Sequence, residues 1–144
     1  MTEKSSVQMK ERIEAPAERV AAYIGDFRHA KDWMVGVESV EQLDEDEYLL
    51  EVETPVGRIK PDVRTLEHDS ANIRWIYTSA INGGGLVEVA PAENGSCIVS
   101  YTGDFQLKQR LLGRVSKALG SGFARRNGER SLARLKYLME AHRY

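Results

Sequence analysis

The closing segment of the chain restricts its fold more than any other. From residue 107 to about 142 there is no proline, and Leu, Ala, Arg and Lys predominate, which predicts one long helix. Before it, short runs rich in apolar residues are separated by proline, glycine and acidic clusters, the pattern of strands joined by turns. Nothing else in the chain is long enough to cover a sheet of several strands, so the sheet must lie against this one helix. The helix does not keep one apolar stripe. Leu112, Val115, Leu119 and Phe123 share one line at spacings of three and four, whereas Leu132, Leu135 and Met139 fall on roughly the opposite side. Gly120, Ser121 and Gly122 sit between the halves, where a bend costs little.

The strands can be placed by their alternation. Residues 7–13 alternate apolar and polar, and Ala15-Pro16 ends that strand. Pro16 suits the first turn of a helix, where its missing N–H is harmless, and Val20, Tyr23, Ile24 and Phe27 then recur at helical spacing. A second short helix over 28–34 carries Trp33. Strands follow at 37–43, 48–54, 58–66, 73–79, 86–90 and 96–105, with turns at 44–47, 68–72, 82–85 and 91–95. Pro61 cannot donate a ladder hydrogen bond, so the strand 58–66 should be an edge or be bulged there. This order gives an α+β fold, a curved antiparallel sheet wrapped around the C-terminal helix, with both short helices after the first strand. At 144 residues one domain spans 1–144, and a sheet held open by a single helix tends to leave a cavity.

Composition narrows the chemistry. The single cysteine, Cys97, excludes an internal disulfide and any paired-cysteine zinc site. No stretch approaches the roughly 20 apolar residues needed to cross a bilayer, and the N-terminus is polar, so a cytoplasmic location is expected. His29, His68 and His142 are far apart in the sequence and have no metal-ligand spacing. Asp26 reads as a helix terminator rather than a base. No nucleophile elbow or phosphate loop is present, so no catalytic residue is assigned, and neither a metal nor a cofactor is expected.

Charge is unevenly distributed. Residues 106–144 carry ten Lys or Arg against Glu129 and Glu140, a net +8, which leaves −10 for residues 1–105. These could be solvated faces that attract one another within the fold or across a dimer, or a basic helix facing an anionic membrane. The mixed overall charge argues against nucleic acid as a partner. Monomer and homodimer are both compatible with the sequence.

One phase of the strands collects the groups that could meet a ligand: Tyr48, Leu50 and Val52; Ile59 and Val63; Ile73, Trp75 and Tyr77; Val99, Tyr101 and Phe105. With Trp33 and Phe123 they would line a mainly apolar pocket supplied with hydroxyl and indole donors. Ordinary core packing would explain most of them equally well. Trp33, Tyr48, Val63, Trp75, Tyr77, Tyr101 and Phe123 are the candidate ligand-binding residues. Arg126 joins them because it falls near the Leu112–Phe123 line and could meet a carboxylate or phenolate.

The segment Glu14-Ala15-Pro16-Ala17-Glu18-Arg19-Val20-Ala21-Ala22-Tyr23-Ile24-Gly25-Asp26, followed by Trp33, resembles the opening signature of the START-like (SRPBCC, polyketide cyclase/dehydrase-like) superfamily. Leu132-Ala133-Arg134-Leu135-Lys136-Tyr137-Leu138 resembles its last helix, and the element order matches over essentially the whole chain. The resemblance implies a helix-grip fold. It also implies a cavity for a hydrophobic or amphipathic small molecule such as a lipid, quinone or polycyclic aromatic, to be bound or transported. Members with cyclase or dehydratase activity make an enzyme the alternative expectation, and members that act at membranes or on ribosomes supply the third.

Overall fold

A computed structural model describes residues 5–54, 57–69, 71–107 and 121–141. One antiparallel sheet is built from β1 (Ser5–Ile13), β2 (Val37–Asp44), β3 (Glu47–Thr54), β4 (Gly57–Ile59), β5 (Asp62–His68), β6 (Asn72–Tyr77), β7 (Ile81–Pro91) and β8 (Cys97–Leu107). Its order is β1-β8-β7-β6-β5-β3-β2, with β4 on the flank of β3. Helices α1 (Ala17–Gly25) and α2 (Ala30–Trp33) are joined by a 3-10 turn at Phe27–His29, and α3 (Ser121–Ala141) follows the sheet. The expected α+β, helix-grip arrangement is therefore what forms.

Local chemistry sets the element ends. Pro16 caps α1, its carbonyl accepting from the N–H groups of Arg19 and Val20. Asp26 ends the helix and starts the 3-10 turn: its carboxylate accepts from the Arg28 N–H and from the Arg28 guanidinium at 2.9 and 2.7 Å. These hydrogen bonds hold the Asp26 carboxyl below its ordinary value. Pro61 splits the predicted strand 58–66 into β4 and β5, yet both pieces keep the same register against β3, and the Pro61 carbonyl accepts from Leu50 N–H at 3.0 Å.

Two boundaries differ from the sequence expectation. Residues 82–85, read as a turn, lie inside β7, and the reversal between β6 and β7 falls at Thr78–Ala80. Ala80 takes the positive φ of 66° that the reversal needs, while Ser79 Oγ accepts from Asp62 N–H and donates to the Asp62 carboxylate, fixing the loop against β5. The glycines thus serve the sheet rather than the turn. Strand β8 also continues through Leu107, where a helix was expected to begin. The expected bend at Gly120–Gly122 and the line Leu112, Val115 and Leu119 lie outside the described residues, as does the Phe123 side chain.

The concave face divides into two halves. Under α1, Val20, Ile24 and Phe27 pack with Ile13, Ile73, Val87 and Val99 into one buried cluster, which also takes in Leu132, Leu135 and Met139 of α3. The end of α3 is clamped to the β1–α1 turn: Lys136 Nζ donates to the Arg12 carbonyl and pairs with Glu140, whose carboxylate accepts from Glu14 N–H, and the Arg19 guanidinium donates to the Met139 carbonyl. The acidic stretch of β2 and β3 is balanced by its neighbours, since Arg58 pairs with Glu38, Glu51 and Glu53, and Arg64 with Glu47. Exposed pairs of this kind add little stability, but they leave the basic residues of α3 without a share of these carboxylates.

Candidate functional site

Between the other half of the concave face and α3 a cavity of about 100 Å³ remains. Its floor is aromatic. Trp75, 2% exposed, stands edge-on to Phe27 at 5.5 Å between ring centroids and stacks on Tyr101 at 6.4 Å, and Phe27 continues the seam to Tyr48 at 5.3 Å. Glycines make room for these rings. Register places Trp75 beside Gly85 and Gly85 beside Gly103, and a methyl group on Gly85 would lie 2.7 Å from Trp75 Cε2. The Tyr101 ring folds back over Gly103, whose added Cβ would meet Tyr101 Cζ at 2.6 Å. On the roof, Gly128 allows α3 to settle on Met9, 2.8 Å separating a would-be Cβ from the Met9 methyl.

One rim of the cavity is a clasp between α3 and the segment after α2. Asn127 Nδ2 donates to the Val35 carbonyl at 2.8 Å, and Val35 N–H donates to Ser131 Oγ at 3.0 Å. Ser131 Oγ in turn donates to the Asn127 carbonyl at 2.8 Å. Beside this clasp opens a shallower recess of about 250 Å³, which shares Val35, Glu53, Thr54 and Asn127 with the cavity wall and adds Gly36, Arg126 and Arg130.

The polar groups at the floor are donors. Trp75 Nε1 is buried and has no hydrogen-bond acceptor among the described residues. It lies near enough to the Tyr77 hydroxyl to favour that group's ionised form without reaching hydrogen-bonding geometry, and burial outweighs it, pushing the Tyr77 hydroxyl up. The Tyr101 hydroxyl is also raised, by burial first and then by the Tyr77 and Asp104 charges. Both phenols stay neutral and able to donate across the physiological range. Partial accessibility of the two rings reflects the cavity beside them rather than the outer surface.

The folded state keeps the phenol protons above the ordinary tyrosine value of about 10, where the unfolded chain releases them, so stability is full below about pH 10 and falls above it. The expected slope is up to roughly 1.4 kcal/mol per pH unit for each buried tyrosine. Urea unfolding at a series of alkaline pH values measures it, and Tyr101→Phe should remove part of the slope. An unchanged slope in that variant would mean that the loss comes from other groups.

Four of the sequence-derived candidates come together on the cavity wall: Trp33, Trp75, Tyr77 and Tyr101. Tyr48 and Val63 share their face of the sheet but belong to the buried core, Tyr48 against Phe27 of the 3-10 turn. Arg126 is exposed and lies on the recess rather than inside the cavity. Asn127, Ser131 and Arg130 were not anticipated. The sequence signal for the first two is small polar residues one helical turn apart beside a buried apolar stripe, which only the position of Val35 turns into a clasp. Among the described residues no cluster of His, Cys, Asp and Glu could hold a metal ion, and no helix is long and apolar enough to cross a membrane.

A profile of the family described as polyketide cyclase/dehydrase and lipid transport matches residues 4–140. The chain belongs to that family. The START-like resemblance read from the Ala15-Pro16 and Trp33 signature is thereby shown. No curated protein matches the sequence at a significant level. Solved structures share the fold at low identity. A START superfamily protein from Mycobacterium smegmatis superposes with a TM-score of 0.80 at 14% identity, covering 94% of this chain and 97% of its own. The Zhui aromatase/cyclase from a Streptomyces species gives 0.76 at 19% identity, covering 95% and 94%. A Deinococcus radiodurans protein gives 0.68 at 22% identity, covering 95% and 98%.

Proposed function

We propose that this family member binds a small apolar or amphipathic molecule in the cavity between the sheet and α3, with Trp33, Trp75, Tyr77 and Tyr101 against it. The observation that carries the reading is the Trp75 indole N–H, buried on the wall of an apolar cavity without an acceptor among the described residues. Leaving a buried donor unpaired costs about 1–3 kcal/mol, and a ligand carbonyl or hydroxyl would relieve that cost. An apolar cavity of roughly 150 Å³ accepts benzene, so the enclosed space of about 100 Å³ takes at most part of one small ring without movement of its walls, and the rest of a ligand would continue into the recess.

Ethylbenzene and acetophenone, alike in shape and differing in one acceptor, test this directly. Both tryptophans of the chain line the cavity, so the two indole N–H signals in a 15N-labelled NMR spectrum report occupancy. Acetophenone should move the Trp75 signal downfield and bind about tenfold more tightly than ethylbenzene, a difference of about 1.4 kcal/mol. Trp75→Phe should erase that difference. Absence of any shift with either compound at millimolar concentration would reject the cavity as a binding site. The same neutral donors would polarise a carbonyl in a cyclisation or dehydration, and the family makes such chemistry the second reading; conversion of a bound β-polyketone would decide for it.

A further inference from the structure

We infer that the ligand carries an anionic group, bound at the recess by Arg126 and Arg130. This rests on the cavity reading above and adds the chemistry of the outer end. Arg126 and Arg130 stand one helical turn apart on α3, both exposed, and both line the recess that shares four wall residues with the cavity. Like charges at this spacing repel each other, so the pair weakens the helix unless something neutralises it. Nothing described does. Neither guanidinium makes an ion pair or hydrogen bond among the described residues, and Glu129 on the same helix pairs with neither. The carboxylate within the recess, Glu53, is engaged by Arg58 at 3.3 Å. The sequence between β8 and α3 offers no carboxylate either, since residues 108–120 contain Lys108, Arg110, Arg114 and Lys117 and no acidic residue.

The recess thus places two unpaired planar cations beside an apolar cavity with neutral donors at its floor. A carboxylate, sulfonate or phosphate fits the guanidinium forks at one end, and a ring with a hydrogen-bond acceptor fits the other. Arginine suits this position because it stays charged at every physiological pH and binds planar oxyanions through two parallel hydrogen bonds.

The test uses ω-phenylalkanoates of increasing chain length and their primary amides, followed by calorimetry and by the indole NMR signals. The acids should bind at least about tenfold more tightly than the amides at one best chain length, with a preference that shrinks as salt rises. Arg126→Gln/Arg130→Gln should reduce the preference to less than about twofold without lowering amide affinity or thermal midpoint, because both side chains are exposed and the substitution relieves their mutual repulsion. Equal binding of acid and amide to the unaltered protein would overturn the anionic-ligand inference while the cavity reading stands. A preference that survives the double substitution would overturn the assignment to these arginines. Failure of both acids and amides to bind would reject the cavity reading and this one with it. Phosphatidylglycerol vesicles form a separate arm: vesicle binding lost in the double variant, with no acid preference in solution, would assign the arginines to a membrane surface and overturn the proposal.

Discussion

Trp75→Ala should destabilise the protein by about 3–5 kcal/mol, the range for removing a large buried aromatic side chain. The ring is 2% exposed, joins Phe27 and Tyr101 in one seam, and is the surface on which the two halves of the concave face meet. Its loss removes packing from the solid core under α1 and enlarges the cavity on the other side, and neither half can collapse into the space without moving β6 or β7. Urea unfolding followed by circular dichroism measures the effect as a fall in midpoint at constant slope. Trp75→Phe should cost less than half as much, because a ring still fills the seam and the unpaired N–H is gone. A loss below about 1 kcal/mol for the alanine variant would mean that α3 and β1 hold the fold without the seam.

Alternation in residues 7–13, 48–54 and 97–105 marks strands because one face of each is buried and the other is wet, so the apolar period is not blurred. The helix at 121–141 is legible from Leu132, Leu135 and Met139, all of which are buried. Gly83-Gly84-Gly85 misleads because glycine signals two different needs, a positive φ in a turn and a missing Cβ in a crowded sheet. Gly85 meets the second need, and the strand that demands it, β6, is a neighbour only in space. The turn itself falls on Thr78-Ser79-Ala80, where nothing local announces a left-handed alanine.

The candidate site is legible to about the same depth. Phase along the strands places Trp75, Tyr77 and Tyr101 on the concave face, as the structure does. Phase alone cannot say where along that face the covering helices stop, and so Tyr48 and Val63, which share the register row of Tyr77 but are covered by the core, read the same as it does. That limit is physical: it depends on the lie of α1 and α3 across the sheet, which is set by contacts such as Val35 with Asn127 and Ser131 and by Gly128 against Met9. Helical spacing singles out Arg126 but not Arg130, which lines the same recess, because an arginine four residues on reads as an ordinary solvated face.

Gly85→Ala should cost about 1–3 kcal/mol, the usual penalty for inserting a carbon into a filled space. A Cβ there would stand 2.7 Å from Trp75 Cε2, so either the indole lifts into the cavity or β7 moves away from β6. Lifting the ring would shrink the cavity, and the variant should therefore lose ethylbenzene binding at temperatures where it is still folded. The double-mutant cycle with Trp75→Ala makes the cause testable. Once the indole is gone, the added methyl meets no ring, and alanine is a better strand residue than glycine by a few tenths of a kcal/mol to about 1. In the Trp75→Ala background the same substitution should therefore become neutral or stabilising. The reversal of sign is the decisive feature, since a general weakening of β7 would make Gly85→Ala equally costly in both backgrounds. Equal cost in both would show that Gly85 is required by the backbone of β7 and not by the ring that rests on it.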